Sequence, residues 1–121
     1  MGLDVSHGCW NGSYSGFMKF RKILAGSIDI DLENMAGFSR GEASELWENR
    51  PDDDLHILLR HSDCDGEIPV SDAKKLLLRM RNHRDAFILF DDSTMPFISK
   101  YDYWISGLEC AISNNEVIEF L

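Results

Sequence analysis

The chain has 121 residues, 44% of them hydrophobic and 27% charged, with a formal net charge of −9. That length suits one compact domain folding around a single core without staples. The charge argues against a nucleic-acid polymer or an anionic membrane surface as partner, since both would be repelled, but it leaves room for a small anionic ligand held by a local basic group.

Cys9, Cys64 and Cys110 are an odd set with no close pair, which implies free thiols and a reducing, cytoplasmic setting. No basic-then-apolar leader opens the chain and no apolar run reaches spanning length, so a soluble protein is expected. Leu3-Asp4-Val5 reads as a short strand entering a polar, glycine-rich turn, Ser6 to Gly12. Ser13 is a good N-cap for a helix running to about Ser27, whose stripe is Tyr14, Phe17, Phe20, Leu24 and Ile28. Periodicity is weak from Asp29 to Asn49, so irregular structure and a mobile flap are expected there. Pro51-Asp52-Asp53-Asp54 starts a second helix with carboxylates at its positive end; Leu55, Leu58 and Leu59 face inward, and His56 and Arg60 outward.

A third helix spans Asp72 to about Asn82, capped by Ser71, with Ala73, Leu76, Leu77 and Met80 buried. Ala86–Phe90 is either a buried strand or a helical turn, and His83 reads as solvated like His56. Pro96 opens a last helix carrying the widest stripe, Phe97 to Ile112, with Cys110 packed beside it. Glu116–Phe120 alternates as a terminal strand that pairs with Leu3–Val5. The fold class is α+β: a single small domain, 1–121, of four or five helices with a minor sheet formed by the termini.

The chemistry concentrates in His61-Ser62-Asp63-Cys64-Asp65-Gly66-Glu67. With Gly66 at the sixth place, Asp63, Asp65, Glu67 and Asp72 fall at the third, fifth, seventh and twelfth places of a calcium loop. His61 at the first place and the short Asp72 at the last count against a working EF-hand, because imidazole suits hard cations poorly. A plain connector accounts for Gly66, Asp65, Pro69 and Ser71, but not for His61, Asp63 and Cys64 together. A third reading joins this loop to the N-terminal turn. His7, His61, Asp63 and Asp65 then form a ligand set for a divalent metal, Zn or Mn rather than Ca, and without metal His7, His61 and Asp63 become proton-transfer groups. Asp4, Ser6, Trp10, Tyr14 and Arg21 complete the pocket as ligand-binding residues, and Arg60 is a second cation for an anionic group. Among the thiols Cys9 is the better nucleophile, since Cys64 lies between two aspartates.

Met1–Tyr14 and His61–Ile68, with a closing Phe97-x9-Gly107-x3-Ala111 helix and a final Val117-Ile118-Glu119-Phe120, resemble the signature blocks of a small protein family of phages and bacteria. The resemblance implies that the two polar blocks belong together and that a phage or prophage origin is plausible. It singles out Asp4, Ser6, His7, Trp10, Tyr14, His61, Asp63, Asp65 and Gly66, and it supplies no mechanism. Two functions follow as expectations: a metal-assisted hydrolase of a phosphoester or nucleotide-like ligand, or a non-catalytic phage-borne protein that sequesters a small ligand or inhibits a host protein. A degenerate calcium-binding module is a third.

Overall fold

A computed structural model describes residues 2–35, 46–94 and 96–121. The chain opens with an antiparallel pair, β1 (Gly2–Val5) and β2 (Trp10–Ser13), joined by a 3-10 turn over Ser6–Gly8. Alternation decides its orientation: Leu3 and Val5 are buried, while Gly2 and Asp4 face out. α1 (Tyr14–Gly26) follows at once, its first turn closed by Gly16 N–H donating to Ser13 Oγ at 2.9 Å, the cap that the sequence predicts. Phe17, Phe20 and Leu24 are buried along its predicted stripe.

α2 is a single turn, His56–Leu59, shorter than expected. The three aspartates stand before it and do other work. Asp53 accepts from Leu55 N–H and takes a bidentate ion pair from Arg79 at 2.8 and 2.9 Å. Burial by itself would raise the Asp53 carboxyl, but the Arg79 and Leu55 hydrogen bonds and the Arg79 charge together hold it below its ordinary range.

β3 (Glu67–Ile68) leads into α3, one helix from Val70 to Phe90. Ser71 lies inside this helix rather than capping it; Pro69 occupies the cap position. The stripe Ala73, Leu76, Leu77, Met80 continues through His83 and Phe87, and all six are buried. His83 is therefore not solvated: it is 6% exposed and its Nε2 lies 2.7 Å from Ser27 Oγ. Ala86–Phe90 is the end of this helix and not a strand, with only Phe87 of its residues buried.

α4 (Ile98–Ser113) packs antiparallel-fashion beside α3 through Tyr101, Trp104 and Leu108, with the Tyr101 hydroxyl donating to Met80 O at 2.6 Å. Cys110 is exposed rather than packed. The core centres on Phe17, Phe20, Phe87, Tyr101 and Trp104, with Phe87 and Tyr101 rings 4.6 Å apart. Each such side chain contributes about 1.5–3 kcal/mol through the area it removes from water.

β4 (Ile118–Glu119) completes the fold, pairing antiparallel with β3 as Glu67↔Glu119 and Ile68↔Ile118. The termini do meet, through the bridge Val5↔Phe120 and Leu121 N–H to Asp4 O at 2.8 Å. The expected pairing of the terminal strand with Leu3–Val5 is reduced to that contact: β1 pairs with β2 and β4 with β3, in two separate two-stranded sheets. Of the segment expected to form a flap, residues 36–45 lie outside the described residues. Its two ends are anchored by buried Leu32, Met35 and Trp47.

Candidate functional site

β4 is the element that brings the two polar blocks together. On one side of it, Glu119 N–H donates to Ser6 Oγ at 2.8 Å. On the other, Phe120 N–H donates to Gly66 O at 2.9 Å, and the Phe120 ring stacks on His61 at 4.0 Å. Blocks some sixty residues apart in sequence thus share one strand as a spine.

The N-terminal block is a strained turn. His7 has φ 62° and Gly8 φ 76°, left-handed values that non-glycine residues hold only where the surroundings impose them. The imposing neighbour is α4. The turn lies on Gly107, where an added Cβ would meet Cys9 N and His7 O at 3.0 Å and press on Cys9 Sγ. In this position Ser6 Oγ lies 2.9 Å from His7 Nδ1, and His7 Nε2 lies 3.1 Å from Glu116 Oε1. Asn115, next to Glu116, is also left-handed at φ 55°.

The central block is closed by its own histidine. His61 Nδ1 lies 2.8 Å from Ser62 O and its Nε2 3.1 Å from Glu67 O. The ring sits between Phe120 and Gly66, where a Cβ would come within 3.3 Å of it; Gly66 has φ 92°. The carbonyl of Glu67, at the seventh place of the calcium-loop alignment, is the backbone oxygen that such a loop offers its ion. Here the imidazole of the first-place residue takes that oxygen. Beneath the loop, Arg21 is 3% exposed and donates through Nη1 to His61 O at 2.6 Å and Leu59 O at 3.3 Å. Burial lowers its pKa, and the nearby Asp63 charge partly restores it. Arg21 is therefore a clamp on the loop backbone, with its guanidinium inside the protein.

The expected site residues separate accordingly. Ser6 and His7 stand together with Glu116, and His61 stands across β4 from them. Asp63 is half-buried and hydrogen-bonds neither ring, and Asp65 is exposed. Asp4 is exposed on β1. Trp10 is 2% exposed and packs on Phe17 and Phe20, and Tyr14 is half-buried against the core, so both serve packing first. Cys9 is buried, and its thiol is pushed up to about 12, chiefly by burial and then by Cys110, which leaves it a poor nucleophile. Among the described residues no group of three or more His, Cys, Asp or Glu stands in metal-holding geometry. Both ring nitrogens of His61 face carbonyl oxygens, which accept hydrogen bonds, so the ring would have to turn away from them to offer a lone pair to a cation.

Sequence reasoning missed Glu116 and Phe120 as partners of the two histidines, because the contacts span 109 and 59 residues' worth of chain with no local signature. It also passed over the wall beside the central loop. There Arg60 stacks over Trp47 at 5.3 Å, and the His56 ring meets the same indole edge-on at 5.0 Å. Two adjoining recesses of about 530 and 500 Å³ share His56 and Arg60 as a common ridge, one reaching Asp52 and Arg79, the other His61, Glu67 and Asp72. Burial lowers the His56 pKa, against the opposing pull of Asp53. No described helix is long and apolar enough to cross a membrane. Comparison with family models, with curated proteins and with solved structures found no match.

Proposed function

We propose that the chain is a binding domain that docks its acidic central-loop face onto a basic patch of a partner protein. The observation that carries this reading is the register Glu67↔Glu119: two exposed carboxylates directly opposite each other on a two-stranded ribbon. Like charges in that position oppose folding, and a basic partner would relieve them. The surrounding recesses extend the same field. Arg79 is neutralised by Asp53, so one guanidinium, Arg60, faces four carboxylates, Asp52, Asp54, Glu67 and Asp72. That balance disfavours the small anionic ligand expected from sequence and favours a cationic one. Arg60 and Trp47 give the face relief, so shape as well as charge can select the partner.

Metal-assisted hydrolysis through His7, His61, Asp63 and Asp65 has less support, because each ring already has an acceptor or donor at both nitrogens. The calcium-loop reading has less support for the same reason at His61.

Titration calorimetry with a lysine-rich peptide tests the proposal. Binding should weaken at least about tenfold in a Glu67→Gln/Glu119→Gln variant and should fade between low and high salt. An Asp85→Asn/Asp92→Asn variant, with the same charge change elsewhere, should bind as the parent does. Equal loss in both variants, or no binding by the parent, sinks the reading.

A further inference from the structure

We propose that Ser6, His7 and Glu116 form a proton relay that activates the Ser6 hydroxyl as a nucleophile toward neutral or cationic acyl compounds. This goes beyond the docking surface and does not depend on it.

The hydrogens can be assigned around the relay by elimination. Ser6 Oγ accepts the Glu119 backbone N–H at 2.8 Å, and because the Glu116 carboxylate can only accept at Nε2, the neutral ring's Nδ1 takes the Ser6 hydroxyl hydrogen at 2.9 Å. With Nδ1 accepting, the neutral ring carries its hydrogen on Nε2 and donates it to Glu116 Oε1 at 3.1 Å. A hydroxyl, an imidazole and a carboxylate then stand in series, the arrangement that general-base activation of a weak nucleophile requires. The two ring nitrogens are used in the order opposite to the familiar serine hydrolases, but proton uptake at one and carboxylate support at the other are coupled through the same conjugated ring.

A second observation separates the relay from an ordinary turn cap. Among the described residues, left-handed backbone occurs at His7, Gly8, Asp29, Gly66 and Asn115. His7 and Gly8 shape the turn that holds the relay's base, while Asn115 is the left-handed end of α4, with Asn115 N–H to Ile112 O at 3.1 Å and Glu116 N–H to Ala111 O at 2.9 Å setting Glu116 just past the helix. At His7, strain of about 1–3 kcal/mol is kept rather than relaxed. The site is also reachable: the His7 side chain is 14% exposed and that of Glu116 57%.

In the proposed step Ser6 Oγ bonds to the acyl carbon as its proton moves to His7 Nδ1. The bond to the leaving group breaks, and the leaving group takes the proton from the imidazolium. Water, activated by the same imidazole, then releases the acid and restores the hydroxyl. Glu116 touches no reacting atom; it is a positioning residue that holds the ring's tautomer and orientation. With Glu116 and Glu119 flanking the hydroxyl, phosphate esters and other anions are repelled, which leaves neutral and cationic acyl compounds as the substrate class.

The test is labelling of the full chain with an alkyl fluorophosphonate, located by peptide mass spectrometry. Attack forms Oγ–P, breaks P–F and leaves the proton on His7, so a stable adduct records the first step. The expected result is an adduct on Ser6 that forms faster than on any other serine. His7→Ala should slow it about 100-fold or more. Ser71→Ala, on the far helix α3, should leave the rate unchanged. Glu116→Gln should slow labelling, and Glu116→Asp, which keeps the carboxylate, should recover part of the lost rate; a role confined to packing would not separate the two. A probe bearing a quaternary ammonium should outpace one bearing a carboxylate. The relay is refuted by adducts spread evenly over exposed serines, by no adduct, or by a parental labelling rate in Glu116→Gln. The reverse probe order refutes the substrate class.

Discussion

Burial of His83 makes it a pH-dependent weight on stability. Its Nε2 faces Ser27 Oγ, whose own hydrogen goes to Leu24 O at 2.6 Å, so the neutral ring donates and is satisfied. Burial, and then the Arg79 charge, lower its pKa below the ordinary 6.5, and burial does the same to His56. Between 6.5 and the depressed folded values the unfolded chain binds protons that the folded chain refuses, so stability is full above 6.5 and is lost as pH falls. Asp53, Asp91 and Asp102 lie below the usual carboxylate range, so their share is lost only in more acid solution. The urea midpoint should therefore drop between pH 7.5 and pH 5, and His83→Gln should shrink that drop. A midpoint flat across this range would show that neither ring is held neutral by the fold. Residue identity in the sequence was a poor guide here. His83 sat on a helical stripe that an apolar residue would have made obvious, and a polar side chain at that position hid the last two turns of α3.

Elements were more legible than contacts between them. α1 was readable because a serine cap and an aromatic stripe agree, and α4 because its stripe is wide. α2 was overestimated since Asp53 is drawn out of helical use by Arg79, a residue 26 positions away. The N-terminal turn depends on α4 through Gly107, a residue that the resemblance marks without saying what it touches. A Cβ there would meet two backbone atoms at 3.0 Å as well as the Cys9 thiol, and backbone cannot rotate aside as a side chain can. Gly107→Ala should cost about 1–3 kcal/mol by denaturant titration, despite alanine being the better helix former. It should also displace Ser6 and His7 together, lowering fluorophosphonate labelling. Gly107→Ala with parental or greater stability would mean that the turn does not rest on α4 as closely as the geometry indicates.

At the scale of the molecule, two charged faces stand out among the described residues. Asp63, Asp65, Glu67, Asp72 and Glu119 stand at the central loop and β4, while Lys74 and Lys75 are exposed on α3 and Arg81 pairs there with Glu109. Sequence alone showed the excess of acid but not its placement, because Glu67 and Glu119 become neighbours only through a strand pairing of two residues on each side. The same pairing supplies a stability test that involves no partner. Glu119 engages Ser6 through its backbone N–H, so Glu119→Gln keeps every hydrogen bond of β4 and removes only one of two facing charges. The protein should gain about 0.2–1 kcal/mol in low salt. That gain should shrink as salt rises toward 1 M, where screening acts within about 3 Å. Packing or propensity effects of the new amide would not depend on salt, so the salt series separates charge from shape. A Glu119→Gln protein less stable than the parent at every salt concentration would mean that the two carboxylates do not oppose folding, and the docking proposal would then lose the observation on which it rests.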